Sequence, residues 1–304
     1  MQDILLEGLY VLSGLIAFMT GIMALRDNEH PARIGTASFW MIVGVLFIFG
    51  KYIPSNINGF LILIMGVLTA ARQVKFGSLK EASDKFRANQ SKRLGNKIFI
   101  PALTISVFAF GIAQFSSLGG LVGLGIGALT ALIIAMVLTK SQPVTVAEDG
   151  SRLLQQIGAA SMLPQLLAAL GALFNASGVG QVISQGISGI IPEGNIVFGV
   201  VAYAVGMALF TMIMGNAFAA FAVITAGVGL PFVLQQGGNP AVVGALALTA
   251  GYCGTLLTPM AANFNVVPAA LLEMKDNNKV IKSQLPLSLI LLLVHIVLML
   301  ILGF

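Results

Sequence analysis

The chain has 304 residues, of which 57% are hydrophobic and only 9% are charged, and its mean hydropathy is +0.96. These values exclude an ordinary soluble globular protein and predict an all-α protein that crosses the membrane several times. The net charge of +5 is compatible with nucleic-acid binding, but the surplus cations lie mostly in one loop beside apolar segments, where they mark membrane orientation instead.

Three apolar segments precede the first long polar stretch, at residues 4–25, 36–49 and 57–71. Each is predicted to be a membrane span, so residues 1–71 are expected to form an N-terminal three-span scaffold. The start of the chain is acidic and lacks the basic residues of a signal peptide. We therefore expect the first span to remain in the mature protein.

Residues 72–97 carry eight cationic side chains against two acidic ones. Because cytoplasmic loops are enriched in Lys and Arg, this loop is predicted to be cytoplasmic, and counting back through three spans places the N-terminus outside. Two structures remain open for it: a solvated connecting loop, or a helix that lies on an anionic membrane surface through apolar residues such as Phe76 and Phe86.

Residues 98–139 are predicted to be a second part of the scaffold, a helix pair with spans at 98–115 and 118–138. Gly119, Gly123 and Gly127 recur at every fourth residue. Such a stripe leaves one helix face bare, so a neighbouring backbone is expected to pack closely against it.

Residues 140–158 are polar and end in an acidic and serine-containing sequence before apolar Leu153 and Leu154. This pattern is typical of a capped helix that lies in the membrane interface and connects two parts of the protein. A plain loop is the alternative.

Residues 159–191 contain Asn175, Ala176, Ser177 and Gly178 between two apolar flanks. Pro164 and the glycines disfavour one straight helix of this length. We predict a re-entrant hairpin whose polar tip enters the membrane from the cytoplasm, since non-helical backbone at membrane depth needs a polar or protein environment.

Residues 196–234 carry no charge and, as one helix, would extend roughly 58 Å at 1.5 Å per residue, far beyond a bilayer core. Gly215 and Asn216 are the residues that favour an interruption. The preferred prediction is a single broken transmembrane helix, which places residues 235–240 outside. The alternative is a turn between two complete spans, which places residues 235–240 in the cytoplasm and makes residues 241–272 a second re-entrant hairpin.

Residues 241–272 are also too long for one plain helix, and Thr258-Pro259 is expected to interrupt them. Asn263 and Asn265 offer amides close to that interruption. Lysines in residues 273–282 predict a second cytoplasmic loop, and residues 285–304 form the last span, which places the C-terminus outside.

The predicted transport core, residues 159–272, contains one charged residue, Glu193, so a binding site there depends on uncharged groups. Helix N-termini suit a carboxylate, and unwound carbonyl groups suit Na⁺. Cys253 is the single cysteine and the two histidines lie near opposite ends of the chain, which argues against an enzyme and against a cofactor site. The candidate substrate-binding residues are Asn175, Ser177, Gly215, Asn216, Thr258, Asn263 and Asn265, with Na⁺ expected near Asn175, Asn216 and Thr258.

Three sequences within this core, residues 215–221, 225–231 and 254–265, resemble the larger membrane subunit of two-subunit bacterial transporters for 5-oxoproline (pyroglutamate). That family was first defined as a domain of unknown function and is similar to the ion transporter superfamily of elevator carriers. The resemblance implies a polar hairpin tip at residues 175–177 and an unwound span at Gly215 and Asn216. It also implies a smaller related membrane subunit as partner, which we expect to be inverted in topology.

Together these patterns predict about eight hydrophobic segments in the bacterial inner membrane and a subunit of a secondary transporter for a small carboxylate. Cation coupling is expected from the unwound carbonyl groups of the core, and an elevator mechanism is what the resemblance implies. The alternatives are a scaffold subunit that transports nothing or, less favoured, an intramembrane enzyme.

Overall fold

The computed structural model describes residues 1–78, 84–188, 194–272, 274–276 and 278–304. These residues form helices and turns without a β-strand, which confirms the all-α prediction. Within the described ranges, six helices are long and apolar enough to cross a membrane, and three shorter apolar helices accompany them. The chain is a multi-pass membrane protein.

The chain forms two compact units, Met1–Gly158 and Ala159–Phe304. The first unit contains α1 (Gln2–Arg26), α2 (Arg33–Phe49), α3 (Ser55–Ala70), α4 (Asp84–Leu94), a 3₁₀ turn (Gly95–Phe99), α5 (Ile100–Phe115), α6 (Gly119–Thr139) and α7 (Pro143–Ile157). The second follows a 3₁₀ turn (Gly158–Met162) and contains α8 (Leu163–Ala176), α9 (Val179–Ser188), α10 (Ile196–Met214), α11 (Ala217–Ile224), a π-helix (Thr225–Leu234), α12 (Pro240–Thr255), α13 (Val266–Leu271) and α14 (Lys279–Leu302).

Glycines set the helix spacing in the first unit. A β-carbon on Gly21 would lie 3.1 Å from the carbonyl oxygen of Ala37, so α1 and α2 pack with their backbones almost in contact. Gly123 and Gly127 are buried, and β-carbons there would lie 2.9 Å and 3.0 Å from the carbonyl oxygens of Phe108 and Ile105. The predicted close packing along this stripe is confirmed for these two glycines.

The basic segment contains both non-helical and helical parts, and whether its helix lies on a membrane surface stays a prediction. Residues 73–78 form an extended stretch that is fastened to the rest of the unit, because Lys75 N–H donates to the hydroxyl of Thr36 at 2.9 Å and Ser78 N–H donates to Asp27 at 2.7 Å. Residues 79–83 lie outside the described ranges, and residues 84–94 are helical. The connecting helix at residues 140–158 is also present, but it begins at Pro143 and so earlier than its acidic residues indicated.

The second unit has a core in which five helical segments meet: α10, α11, the π-helix, α12 and α14. Tyr203 of α10 is fully buried, shares a 2.7 Å hydrogen bond with the hydroxyl of Thr225, and would lie 2.6 Å from a β-carbon on Gly229. Association of helices within a bilayer depends on packing and interhelical hydrogen bonds of this kind. The core residues are Val200, Tyr203, Met207, Ala220, Ile224, Val228, Val233, Val243, Ala247 and Met299.

The broken transmembrane helix predicted at Gly215 and Asn216 is wrong. Of the alternative, the turn between two helices is confirmed, whereas residues 241–272 contain the helix α12 and not a second re-entrant hairpin. Tyr203 contacts Gly229, and Gly199 lies against Phe232, so the chain after Asn216 runs back along α10. Gly215 and Asn216 therefore form the turn of an antiparallel helical hairpin. Its second arm is α11 followed by the π-helix, in which Pro231 supplies no N–H donor.

The re-entrant hairpin predicted at residues 159–191 is also absent from the described residues. Leu167 of α8 lies beside Gly215, Gly171 beside Ala219, and Gly180 of α9 beside Val223. Farther along α9, Gln181, Ser184 and Gln185 line a surface groove with Ala226, Leu230, Pro231 and Gln235. Both helices thus follow the second arm of the hairpin in one direction, and Ser177 and Gly178 form a turn between them.

Helices α12 and α14 are antiparallel neighbours in the second unit. Asn239 N–H, just before α12, donates to the carbonyl of Gly303 at 2.8 Å, and the hydroxyl of Ser288 donates to the carbonyl of Cys253 at 2.6 Å. The connection between them at residues 256–265 consists of turns, followed by the short helix α13. This connection lies at the same end of the unit as Gly215.

Candidate functional site

The turn between α10 and α11 is fixed by its two residues. Gly215 has φ of +66°, a left-handed conformation that an L-residue adopts only with strain. The side-chain oxygen of Asn216 accepts hydrogen bonds from the N–H groups of Phe218 at 2.9 Å and Ala219 at 3.5 Å. Asn216 is thus the N-cap of α11 and satisfies donors that the first turn of a helix leaves unpaired.

Residues 256–265 are held against this turn by two side chains. The hydroxyl of Thr258 donates to the carbonyl of Met212 in α10 at 2.8 Å and accepts from Met260 N–H at 3.2 Å. The amide of Asn265 donates to the carbonyls of Thr255 at 2.8 Å and Thr258 at 2.7 Å. Because a buried carbonyl without a donor is costly, these bonds determine the path of the connection.

A cavity of about 190 Å³ lies between the turn and the connection. It is smaller than the roughly 300–1,000 Å³ of sites for drug-sized ligands, so it fits only a small solute. Three aromatic rings surround it: Phe218 and Phe264 each lie with their ring centroids 6.1 Å from that of Tyr252. The lining residues are Gly215, Asn216, Ala217, Phe218, Tyr252, Thr255, Asn263 and Phe264.

The electrostatic character of the cavity comes from helix ends and neutral polar groups, because the described residues that line it include no carboxylate, amine, guanidinium or imidazole. The N-terminus of α11, which carries partial positive charge, lies beside the C-termini of α10 and α12, which carry partial negative charge. Two buried oxygens nearby, the hydroxyl of Thr211 and the side-chain oxygen of Asn265, make no hydrogen bond with the described residues. The described residues also form no cluster of three or more His, Cys, Asp or Glu for a metal ion.

Nearly the whole chain matches one family of known sequences. Residues 7–304 match the model of the family described as "Protein of unknown function (DUF979)". The chain belongs to this family. No curated protein and no solved structure matches the chain. Membership agrees with the expectation of a family defined as a domain of unknown function, and it assigns no solute, activity or superfamily.

The structure brings together five of the seven candidate site residues. Gly215, Asn216 and Asn263 line the cavity, and the side chain of Asn263 is exposed and makes no hydrogen bond with the described residues. Thr258 and Asn265 are buried and do not line it; their hydrogen bonds show that they support the connection.

The remaining two candidates do not join this cluster. Ser177 is exposed in the turn between α8 and α9. It lies ten residues along the chain from Leu167, the contact of Gly215, which corresponds to roughly 15 Å of helix. The side chain of Asn175 lies outside the described part of the structure, so Na⁺ binding near Asn175 stays a prediction.

Sequence reasoning missed five lining residues: Ala217, Phe218, Tyr252, Thr255 and Phe264. A signal for two of them was present, since Tyr252 and Thr255 are three residues apart in an apolar helix and therefore share one face. The two phenylalanines carry no such signal, because a Phe in an apolar segment is typical of lipid contact or core packing.

Proposed function

We propose that the chain is a subunit of a secondary active transporter for a small carboxylate, with 5-oxoproline as the candidate solute. One observation carries the proposal. Uncharged polar groups from three separate segments, around Asn216, Thr255 and Asn263, meet at a small cavity inside an otherwise apolar unit. Polar groups at such places in membrane proteins line solute and ion pathways.

The cavity offers suitable groups for a carboxylate on a small ring. The N-terminus of α11 supplies partial positive charge without a competing cationic side chain. The side-chain amide of Asn263 is free to donate to the solute. The rings of Phe218, Tyr252 and Phe264 provide apolar faces for the ring of the solute.

Cation coupling is part of the proposal because two of the three helix ends at the cavity are C-terminal. Carbonyl groups at the ends of α10 and α12, together with the unpaired oxygens of Thr211 and Asn265, are the oxygen ligands that Na⁺ prefers. Na⁺ bound there would offset the charge of a carboxylate at α11. An elevator mechanism requires a scaffold body and a transport body, and the division of the chain at Gly158 supports that requirement.

A smaller membrane subunit as partner remains part of the proposal through the family resemblance. The argument that one hairpin and one broken span form half of an inverted pair no longer supports it, because the described residues contain neither feature at the predicted positions. Co-purification with the neighbouring membrane protein, and solute uptake that needs both chains, are the expected results.

Binding to purified complex tests the function directly. We expect 5-oxoproline or a related small carboxylate to raise the thermal midpoint, and Na⁺ to increase that effect, because a ligand that binds only the folded state stabilises it. Asn263→Leu should weaken binding roughly 10- to 150-fold, the equivalent of one hydrogen bond to a charged group. Asn278→Leu is the matched control, since Asn278 is exposed in the same unit and does not line the cavity.

The competing functions give different results. A scaffold subunit would show no stabilisation by any carboxylate while remaining folded and bound to its partner. An intramembrane enzyme would convert the solute, and the product would accumulate only in the presence of this chain.

A further inference from the structure

A second cavity, of about 520 Å³, lies in the first unit where α6 leaves its apolar stretch. Helix α6 ends at Thr139, and Lys140 follows in a left-handed conformation with φ of +56°. The guanidinium of Arg93 donates to the carbonyl of Leu138 at 2.8 Å and so fixes α4 to the end of α6. The cavity therefore lies at the boundary between an apolar span and polar helices. Its lining residues are Phe86, Arg87, Gln90, Ser91, Leu94, Ile98, Thr139, Ser141, Asp149 and Arg152.

This lining has a polar part and an apolar part. Two guanidinium groups, of Arg87 and Arg152, line it together with the hydroxyls of Ser91, Thr139 and Ser141. Phe86, Leu94 and Ile98 form the apolar part. A guanidinium binds phosphate oxygens in a bidentate manner, and hydroxyls add further donors.

Arg152 is held in place in this cavity. Only 12% of its side chain is exposed, and its Nε lies 3.2 Å from the carboxylate of Asp149 one turn earlier in α7. Among the described residues of the lining, two arginines stand against one acidic residue, Asp149, so these residues carry a net positive charge. The side-chain oxygen of Gln90 is buried and accepts no hydrogen bond from the described residues, which leaves an acceptor for a hydroxyl.

We propose that this cavity binds the headgroup of an anionic phospholipid that carries hydroxyl groups, such as phosphatidylglycerol. Arg87 and Arg152 hold the phosphate, Gln90 accepts from a headgroup hydroxyl, and Phe86, Leu94 and Ile98 contact the acyl chains. Basic cavities at the cytoplasmic ends of spans are suited to such lipids, because anionic headgroups are concentrated at that surface. The surrounding basic segment places this end of the first unit in the cytoplasm by its charge.

The test uses full-length, delipidated protein in a neutral detergent, with lipid binding measured by native mass spectrometry and by thermal midpoint. Phosphatidylglycerol should bind and stabilise, whereas phosphatidylcholine, phosphatidylethanolamine and glycerol phosphate should do so at least tenfold more weakly. Equal binding of the zwitterionic lipids, or saturation by glycerol phosphate alone at similar concentration, would overturn the proposal; the latter would identify a site for a soluble phosphate.

Amino-acid substitutions distinguish a specific lipid-binding site from non-specific attraction of anionic lipids to surface cations. Arg87→Gln and Arg152→Gln should each weaken phosphatidylglycerol binding roughly tenfold or more, since each removes a charged hydrogen-bond donor. Lys92→Gln is the matched control, because Lys92 is an exposed cation of the same helix that does not line the cavity. An equal loss in Lys92→Gln would contradict the proposal. Arg87 is exposed, so its variant gives a readable result even where Arg152→Gln does not fold.

Discussion

The carbonyl oxygen of Met260 lies 2.5 Å from the point that a β-carbon on Gly215 would occupy. Gly215 also has φ of +66°, so any side chain there meets both a steric conflict and backbone strain of about 1–2 kcal/mol. Gly215→Ala should therefore destabilise the protein and displace the connection at Met260. A lower thermal midpoint by size-exclusion thermostability is the expected result.

A glycine in an open helical position provides the control for that substitution. Gly186 lies in α9 of the same unit, and a β-carbon there would have no neighbour within 4 Å. Gly186→Ala should leave the thermal midpoint unchanged or raise it slightly, because Ala is the better helix former. Equal destabilisation by both variants would show that the turn does not depend on Gly215.

Asn265 is expected to act on stability more than on solute binding. Its buried amide donates to the carbonyls of Thr255 and Thr258, and Asn265→Leu would leave both without this donor at a cost of about 1–3 kcal/mol each. The variant should give less folded protein, and the folded fraction should lose solute affinity because residues 256–265 shift. A variant of normal stability with no solute binding would instead identify Asn265 as a direct ligand.

The interruption at Gly215 and Asn216 could be located from the sequence because a glycine and an asparagine favour it within a long apolar run. Its form could not, because a broken span and a hairpin present the same local pattern. The contacts that decide between them, Tyr203 with Gly229 and Gly199 with Phe232, join residues far apart in the chain. Packing between the two arms of the hairpin thus decides the form of the interruption, which helical periodicity within one segment does not show.

Near Ser177 the sequence predicts a re-entrant hairpin, whereas the structure has a simple turn between two helices. A polar stretch between apolar flanks favours a re-entrant hairpin on sequence grounds, yet a short turn between α8 and α9 accommodates the same residues. Gln181, Ser184 and Gln185 continue the polar character along one face of α9, beside Leu230. Their spacing of three and four residues was the available signal for an ordinary helix.

Asp27 should give the first unit a pH-dependent contribution to stability. Partial burial acts to raise the pKa of its carboxyl, but hydrogen bonds from the N–H and hydroxyl of Ser78, with smaller contributions from Glu29 N–H and His30, outweigh it and lower the pKa below its ordinary value of 3.8. A depressed pKa means that the contribution is present above pH 3.8 and is lost as the pH falls through the lower folded-state value.

Asp27→Asn should therefore lower the thermal midpoint at neutral pH, since an amide keeps one acceptor and loses the charge. The difference from the unmodified protein should begin to shrink below about pH 4, where the carboxyl of the unfolded chain takes up a proton, and should disappear as the pH falls through the lower pKa of the folded state. Glu29→Gln is the control, because the Glu29 side chain is exposed. A difference that is constant from neutral to acidic pH would assign the effect to packing.

Asn216→Asp should separate the cap of α11 from the binding of an anion. Aspartate is as good an N-cap as asparagine, and its charge suits the helix N-terminus, so stability should be unchanged. A carboxylate solute would meet a like charge at the cavity and should bind at least tenfold more weakly, which calorimetric or thermal-shift titration can measure. Unchanged carboxylate affinity would exclude an anion at α11, and loss of folding would be inconsistent with the capping geometry at Phe218 and Ala219.

The number of membrane crossings along the chain predicts on which side of the membrane each loop and each terminus lies. If each apolar segment crosses, the first unit contributes five spans, α1, α2, α3, α5 and α6, and the second contributes five, α8–α9, α10, α11 with the π-helix, α12 and α14. Both termini are then outside, as the loop charges predict. Residues 235–239 are also outside, and residues 274–276 are in the cytoplasm.

Labelling of intact cells with an impermeant thiol reagent tests this order. The buried Cys253 is first replaced by alanine. Gln236→Cys should then be labelled, whereas Lys85→Cys and Lys275→Cys should be labelled only after permeabilisation. The result depends on α8–α9, because a re-entrant segment would remove one crossing and reverse every later span. Labelling of Lys275→Cys in intact cells, with Lys85→Cys protected, would therefore support a re-entrant hairpin at residues 159–191. Protection of all three sites would refute the orientation that the loop charges predict.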